Sequence, residues 1–238
     1  MKLLLQNLQS GANISQGYYQ FPFLIWKYFL PHSQEPIEIL AKYMKEEQIE
    51  IGLFTEADAG SFRTKDMDET EIISRMCEFE QKHFFPTTNF RGFTNQGNAI
   101  VSKYPIIDTK MYKLPGTGEP RFLCQSTIKL KNKKINLFVT HLALSRKERQ
   151  EQLKEINNII KNIKGIKILT GDFNIQSEEE LNNIEESNVK RITNLKTYPS
   201  WNPKMPLDNI FVSKEIKKYT LKTTQVKMSD HLGLVLEF

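Results

Sequence analysis

The sequence predicts an α/β fold in which two mixed β-sheets pack on each other and helices cover their outer faces. Three observations predict it. Strands and helices alternate at the start of the chain, hairpin-connected strands fill the middle, and further strands joined through helices follow. Because a sheet is stable only when its apolar face is buried against another layer, this mixture indicates sheet packed on sheet.

Hydrophobic periodicity places the elements of the first half of the chain. A buried strand, a helix, a second apolar strand and a second helix come first, at residues 2–8, 36–48, 50–55 and 68–80. Pro36 opens the first of these helices, since proline is favoured at the first helical position. The middle is typical of antiparallel sheet, with strands at 97–102, 106–112, 121–130 and 134–141. Asn132 stands between two lysines and marks a hairpin turn.

Two serine–glutamate pairs predict the helices of the second half. Ser145 with Glu148 has the spacing of a capping box and opens a polar helix that ends at Gly165. Ser177 with Glu180 repeats this spacing before a short helix. The remaining strands are predicted at residues 166–170, 207–213, 219–227 and 232–238.

The composition excludes several classes of protein. With 238 residues, of which 39% are hydrophobic, the chain can bury a sizeable core, and we expect one domain over residues 1–238. Polar residues interrupt the longest apolar stretch, so no membrane-spanning helix is predicted. The leucines after Lys2 give way to polar residues too early for a signal peptide, which favours a cytoplasmic protein. Cys77 and Cys124 are too far apart to form a disulfide framework or a thiolate zinc cluster.

The charge of the chain bears on its partners. Its net charge is +5 and its pI is near 9.0. Such an excess raises the local concentration of a polyanion without identifying one. A monomer is the default expectation.

The residues suited to chemistry follow the ends of predicted strands, where loops carry function on a rigid scaffold. They are acids, amides and histidines: Asn7, Glu56, His141, Asp172, Asn174, Asp208, Asp230 and His231. Glu56 and Asp230 suit Mg²⁺, which takes oxygen ligands and is held by one or two carboxylates. Asp208 and His231 form a natural pair, because a carboxylate fixes the tautomer of an imidazole and stabilises its protonated form. Zinc is disfavoured, since none of the four histidines has ligand spacing.

Read in order, these residues stand in seven short motifs. The motifs are Asn7, Glu56, Gly97-Asn98-Ala99-Ile100, Thr140-His141-Leu142, Gly171-Asp172-Phe173-Asn174, Leu207-Asp208-Asn209-Ile210 and Ser229-Asp230-His231. Alone, each also fits an ordinary turn, a core histidine or a buried amide. Together they resemble the endonuclease/exonuclease/phosphatase superfamily, which has the deoxyribonuclease I-like fold. The resemblance implies a four-layer α/β sandwich with the site at one end of the paired sheets.

The resemblance also implies a role for each residue. At the metal, Glu56 would be the ligand for Mg²⁺ or Mn²⁺, with Asn7 and Asp230 near it. Asp172 would orient or activate the attacking water.

On the phosphate side, the resemblance implies four further roles. Asn174 would contact the phosphate. His231, paired with Asp208, would act as acid/base or stabilise the phosphoryl charge. His141 would be a second donor, and Asn98 would contact the substrate.

The subfamily, and hence the substrate, stays open. Abasic-site endonucleases of the exonuclease III type have other residues around Asn7 and Glu56, and tyrosine chemistry where this chain has His141. The histidine pattern is more similar to the deoxyribonuclease I, sphingomyelinase and phosphatase branches. The aromatic residues of 18–30, inside a predicted loop at 11–31, are suited to stacking on bases or entering a membrane, and equally to core packing or a lid.

The leading expectation is a nuclease that acts on nucleic acid, with DNA as the leading candidate substrate. A phosphatase or phosphodiesterase acting on a small or lipid-linked phosphate is the alternative. A non-catalytic phosphate-binding scaffold is the third hypothesis.

Overall fold

The elements of the chain are seen in a computed structural model, which describes residues 1–9, 31–90, 92–175, 177–181, 184 and 188–238. The aromatic segment at 18–30 lies outside the described residues. The strands are β1 Lys2–Asn7, β2 Ile51–Asp58, β3 Gln81–Phe90, β4 Thr94–Ser102, β5 Ile106–Lys113, β6 Phe122–Leu130, β7 Lys133–His141, β8 Ile166–Asp172, β9 Val189–Arg191, β10 Asp208–Ser213, β11 Thr220–Thr223 and β12 Leu234–Glu237. The helices are α1 Glu35–Glu46, α2 Glu69–Cys77 and α3 Arg146–Lys161, with a 3-10 turn at Glu178–Leu181.

The strands form two six-stranded sheets. The first has the order β11-β12-β1-β2-β4-β3, and the second has the order β5-β6-β7-β8-β10-β9. In each sheet one central pair is parallel, β1 with β2 and β7 with β8, and the other pairs are antiparallel. The predicted pair of mixed sheets is confirmed.

Alternation along the strands builds the layers of the sandwich, because successive side chains of a strand point to opposite faces. In β1, Leu3 and Leu5 face the second sheet, where they join a core with Leu137 and Ile168. Leu4 points to the other side and packs with residues of α1 and α2. On the far face of the second sheet, a third apolar cluster joins β7 and β8 to α3. The order of layers is therefore α1 and α2, first sheet, second sheet, α3.

Most predicted elements are present within a few residues of their expected bounds, but β3 was missed. Its sequence contains Pro86, which cannot donate a ladder hydrogen bond and so argues against a strand. The structure accommodates this proline because β3 is the edge strand of its sheet and its register shifts between Pro86 and Thr88.

Both predictions of a capping box were wrong. Ser145 is the N-cap of α3 but makes no side-chain capping bond, and Glu148 instead accepts hydrogen bonds from the backbone N–H and hydroxyl of Thr117. Glu180 pairs with the guanidinium of Arg149, at 3.0 Å from Nε. Both glutamates therefore bond to residues distant in sequence instead of capping their own helices.

Both cysteines are free thiols. Within the described part of the chain, the helices are too short or too polar to cross a membrane.

Among the described glycines, Gly171 in β8 is the one where an added Cβ would make the closest contact. Its φ is +153°, and a Cβ added there would lie 2.0 Å from the carbonyl oxygen of Thr140 on β7. We expect Gly171→Ala to lower the free energy of unfolding by about 3 kcal/mol, since overpacking and backbone strain add. Denaturant unfolding measures this.

Gly165 provides the matched control. Its φ is +90°, but nothing lies within 4 Å of the added Cβ. Gly165→Ala should cost only about 1 kcal/mol, from backbone strain alone. Equal losses in the two variants would contradict the close approach of β7 and β8.

Candidate active site

Strand register aligns three site residues along one edge of the second sheet. His141 pairs with Asp172 across β7 and β8, and Asp172 pairs with Asp208 across β8 and β10. Because neighbouring strands lie about 4.8 Å apart, the three residues form a row. The parallel pair brings together the C-terminal ends of β7 and β8, and the antiparallel β10 adds its first residue.

The first sheet contributes Asn7 and Glu56 at the same end of the sandwich. Asn7 is the last residue of β1. Glu56 lies in a bulge of β2, where the pairing with β4 shifts between Phe54 and Ala57, and its φ is +52°. Such bulges re-aim side chains. As a result, the Asn7 Nδ2 donates both to Glu56 Oε1, at 3.0 Å, and to Asp172 Oδ2 of the other sheet, at 3.3 Å.

The loop before β12 adds Asp230 and His231. Ser229 fixes this loop, since its Oγ donates to the backbone oxygen of Asn7 at 2.8 Å and accepts from the His231 N–H at 3.2 Å. Gln6, buried on β1, donates its amide to the backbone oxygen of His231 at 3.1 Å. The loop is thereby held against the end of β1.

His231 is paired with Asp208, as predicted. Its Nδ1 lies 2.7 Å from Asp208 Oδ2, and this oxygen also accepts from the Thr197 hydroxyl at 2.5 Å. Its Nε2 lies 3.7 Å from Asp172 Oδ2. Burial alone would lower the pKa of His231, but the charges of Asp208 and Asp172 outweigh burial and hold this pKa well above its usual value. The two carboxylates therefore favour the imidazolium form of His231.

His141 is in the opposite state. Burial, followed by the positive charge of Arg121, lowers its pKa to about 3. Its Nδ1 lies 3.8 Å from Glu56 Oε1 and its Nε2 lies 3.7 Å from Asp172 Oδ2. These contacts are not ion pairs at neutral pH, because the imidazole is uncharged. Asp172 thus lies between one charged and one neutral histidine.

Asn174 orients Asp172 from the following turn. Its backbone N–H donates to Asp172 Oδ1 at 3.0 Å, with a φ of +50°, and its Nδ2 donates to the Leu142 carbonyl at 2.9 Å. Asn98, on β4, has its Nδ2 3.5 Å from the Cys124 sulfur.

These side chains surround a cavity of about 510 Å³. The predicted residues that line it are Glu56, Asn98, His141, Asp172, Asn174, Asp230 and His231. Asn7 and Asp208 lie behind this surface and hold the lining residues by hydrogen bonds.

The cavity is also lined by residues that sequence reasoning did not identify. They include Thr87, Gln96, Glu119, Arg121 and Tyr198. Arg121 had a detectable signal: it opens a predicted strand antiparallel to the one ending at His141, so it belongs to the same edge of the sheet. The others come from β3, which was not predicted, or from β4 and loops without a motif.

The donor atoms fit a divalent cation. Ligand atoms of Glu56, His141 and Asp172 lie within 4.8 Å of one another, and those of Asp172, Asp208 and His231 form a second such group. Asp230 is in neither group, although it lines the cavity. Burial, together with the charges of Glu56 and Asp172, raises the pKa of Asp230 to about 7. Carboxyl groups crowded in this way repel one another until a cation neutralises them.

The comparison with solved structures supports the fold. An endonuclease/exonuclease/phosphatase family protein from Leptotrichia buccalis superposes with a TM-score of 0.75 at 20% identity, over 100% of this chain and 98% of that chain. A D. rerio TDP2 complexed with single-strand DNA product has a TM-score of 0.70 at 15% identity, over 99% and 97%. A mannosyl-6-phosphatase from Bacteroides thetaiotaomicron has a TM-score of 0.68 at 15% identity, over 100% and 98%.

Sequence comparison assigns the family. No curated protein sequence matches the chain significantly. The sequence profile of the Endonuclease/Exonuclease/phosphatase family matches residues 7–231, which span every motif described above. The chain therefore belongs to the endonuclease/exonuclease/phosphatase family, whose members are metal-dependent phosphoesterases.

Proposed function

We propose that the protein hydrolyses phosphodiester bonds of nucleic acid, with DNA as the leading candidate substrate. The reaction would use a divalent cation and an activated water, without a covalent intermediate. The observation that carries this proposal is the convergence of carboxylates, amides and two histidines, His141 and His231, on one open cavity. Phosphoester hydrolysis needs a group that activates water and donors that stabilise the phosphoryl oxygens, and the cavity contains both.

Glu56, with Asn7 and Asp230 close to it, would hold the Mg²⁺ or Mn²⁺ ion. The position of His141 and Asp172 beside Glu56 also makes them candidates for contact with the ion. When bound, the ion supplies Lewis acidity and offsets the negative charge that develops on the phosphate.

Asp172 would orient and deprotonate the attacking water. Its carboxylate is held on both sides, by the Asn174 N–H at Oδ1 and by Asn7 at Oδ2. A carboxylate whose rotamer is fixed loses little entropy on reaching the reactive geometry.

The two histidines and two asparagines would hold the phosphate. His231, charged through Asp208, stabilises the phosphoryl oxygens and can give a proton to the leaving oxygen. Neutral His141 donates one N–H to a phosphoryl oxygen. Asn174 and Asn98 would complete the polar wall around the substrate.

Two observations support a nucleic-acid substrate. The net charge of +5 favours a polyanion, and the D. rerio TDP2 of similar fold is complexed with single-strand DNA product. The similarity to a mannosyl-6-phosphatase keeps a phosphatase acting on a small phosphate as the second candidate.

Nicking of supercoiled plasmid tests the proposal. We expect purified protein to convert supercoiled DNA to open circles in Mg²⁺ or Mn²⁺ at fixed salt, and chelator to stop the conversion. The same assay with Asp172→Ala controls for contaminating nuclease. A folded, metal-loaded protein that leaves plasmid and single-stranded DNA intact, yet hydrolyses a phosphomonoester, would replace the nuclease proposal with the phosphatase.

A further inference from the structure

Arg121 is a cavity residue without a part in the chemistry proposed above. It directly precedes β6, and the pairing of Leu123 with Thr140 places it beside the end of β7, where His141 lies. Its side chain is only 13% exposed. A buried guanidinium costs free energy unless its N–H groups are hydrogen-bonded. The partners of these N–H groups therefore indicate what the arginine is placed to bind.

Only part of that guanidinium has a protein partner. Its Nη2 lies 2.8 Å from Glu119 Oε2, and Glu119 Oε1 accepts from the Thr88 hydroxyl of the other sheet at 3.1 Å. The buried Nε–H has no hydrogen-bond acceptor among the described residues. Glu119 therefore fixes Arg121 at the cavity wall and leaves one of its donors unused. Buried donors rarely stay unpaired.

The position of Arg121 indicates which group it would bind. β6, β7 and β8 are neighbouring strands, so Arg121 stands two strands from Asp172, a separation of about 10 Å. His231 and Arg121 lie at opposite ends of this row, and His141 lies between Asp172 and Arg121. A single phosphate beside Asp172 would not fill a cavity of about 510 Å³.

We propose that Arg121 binds a second phosphate of the substrate, next to the one that is hydrolysed. This inference rests on the proposed function, because only a substrate with consecutive phosphates, such as a nucleic-acid strand, can use both positions. Arginine suits this role because its planar fork pairs with phosphate oxygens while one edge stays fixed to Glu119. Arg121 would then contribute to selecting oligonucleotides over isolated phosphodiesters.

Short oligonucleotides with neutral linkages test this inference. The substrates are a thymidine trinucleotide with two phosphodiesters and two analogues in which one or the other linkage is an uncharged methylphosphonate. For wild-type protein we expect kcat/KM to fall by about 10-fold or more with at least one analogue, since a charge-assisted hydrogen bond is lost. On the unmodified trinucleotide, Arg121→Ala should lower kcat/KM by the same factor, mainly by raising KM. On the analogue that wild-type protein cleaves poorly, Arg121→Ala should cause no further loss of kcat/KM.

Two further variants separate binding from structure and from general electrostatics. Arg121→Lys keeps the charge without the fork and should lie between wild type and Arg121→Ala. Lys133→Ala removes one positive charge at the opposite end of β7 and should behave as wild type. An Arg121→Ala effect that is equal on all substrates would mean a structural role and overturn the inference, as would no effect. If wild-type protein nicks plasmid but cleaves no trinucleotide, this inference alone is overturned; if it cleaves neither, the proposed function fails as well.

Discussion

Replacement of Asp172 by alanine is expected to lower the rate of hydrolysis by about 10³-fold or more while the chain stays folded. Asp172, on the second sheet, accepts a hydrogen bond from Asn7 of the first sheet and lies within 3.7 Å of His141 and His231. Two neighbouring carboxylates are engaged elsewhere, since Asp208 pairs with His231 and Glu56 accepts a hydrogen bond from Asn7. Initial rates on plasmid or oligonucleotide DNA measure the loss.

The stability of the variant separates a chemical role from a structural one. Removing the Asp172 charge relieves its repulsion of Asp230 but also removes its attraction to His231, so the melting temperature of Asp172→Asn should stay close to that of wild type. Asp108→Ala is a matched control, since it removes an exposed carboxylate from β5 of the same sheet. A folded Asp172 variant that keeps more than about a tenth of the activity would contradict the assignment.

The second large effect is expected at the Asp208–His231 pair. His231→Ala should reduce the rate by about 10²- to 10⁴-fold, because the donor to the phosphoryl or leaving oxygen is lost. Asp208→Asn should leave partial activity and change its pH dependence. The Asp208 charge is the main attraction that raises the pKa of His231 against burial, so its removal lowers this pKa.

The direction of the pH shift follows from the charge state. If the imidazolium is the active form, wild-type activity persists at neutral pH and falls as the pH rises through the raised pKa. In Asp208→Asn the same fall should begin at lower pH, and the profile of kcat/KM between pH 5 and 10 shows it. An alkaline limb that does not move would mean that His231 acts without its charge.

Sequence reasoning predicted the fold class and placed several candidate residues at one end of the sandwich, but it missed details of the strands and of the side-chain contacts. Strand ends are readable from periodicity, and residues at strand ends meet at sheet edges, so Asn7, His141 and Asp172 could be placed together. The bulge that re-aims Glu56 could not be predicted, because it depends on the register of β2 against β4. The hydrogen bonds of Glu148 could not be predicted either, since its partner Thr117 is distant in sequence.

The arginine in the wall of the cavity shows the same limit. The predicted strands place Arg121 beside His141, but they do not show that Glu119, itself bonded to Thr88 of the other sheet, fixes its side chain. Side-chain partners across layers carry no local pattern, whereas turns and periodic faces do. Local patterns therefore located the strand ends, and the tertiary contacts decided which side chains serve the cavity.

The arrangement of the first sheet has a consequence for protein synthesis. β1, which carries Asn7, lies between β2 and β12, and the loop holding His231 immediately precedes β12. The ribosome makes β1 long before the loop that holds His231, so a nascent chain that ends before this loop contains Asn7 and Asp172 but has no assembled centre. We therefore expect hydrolytic activity to begin only after β12 has added to the first sheet.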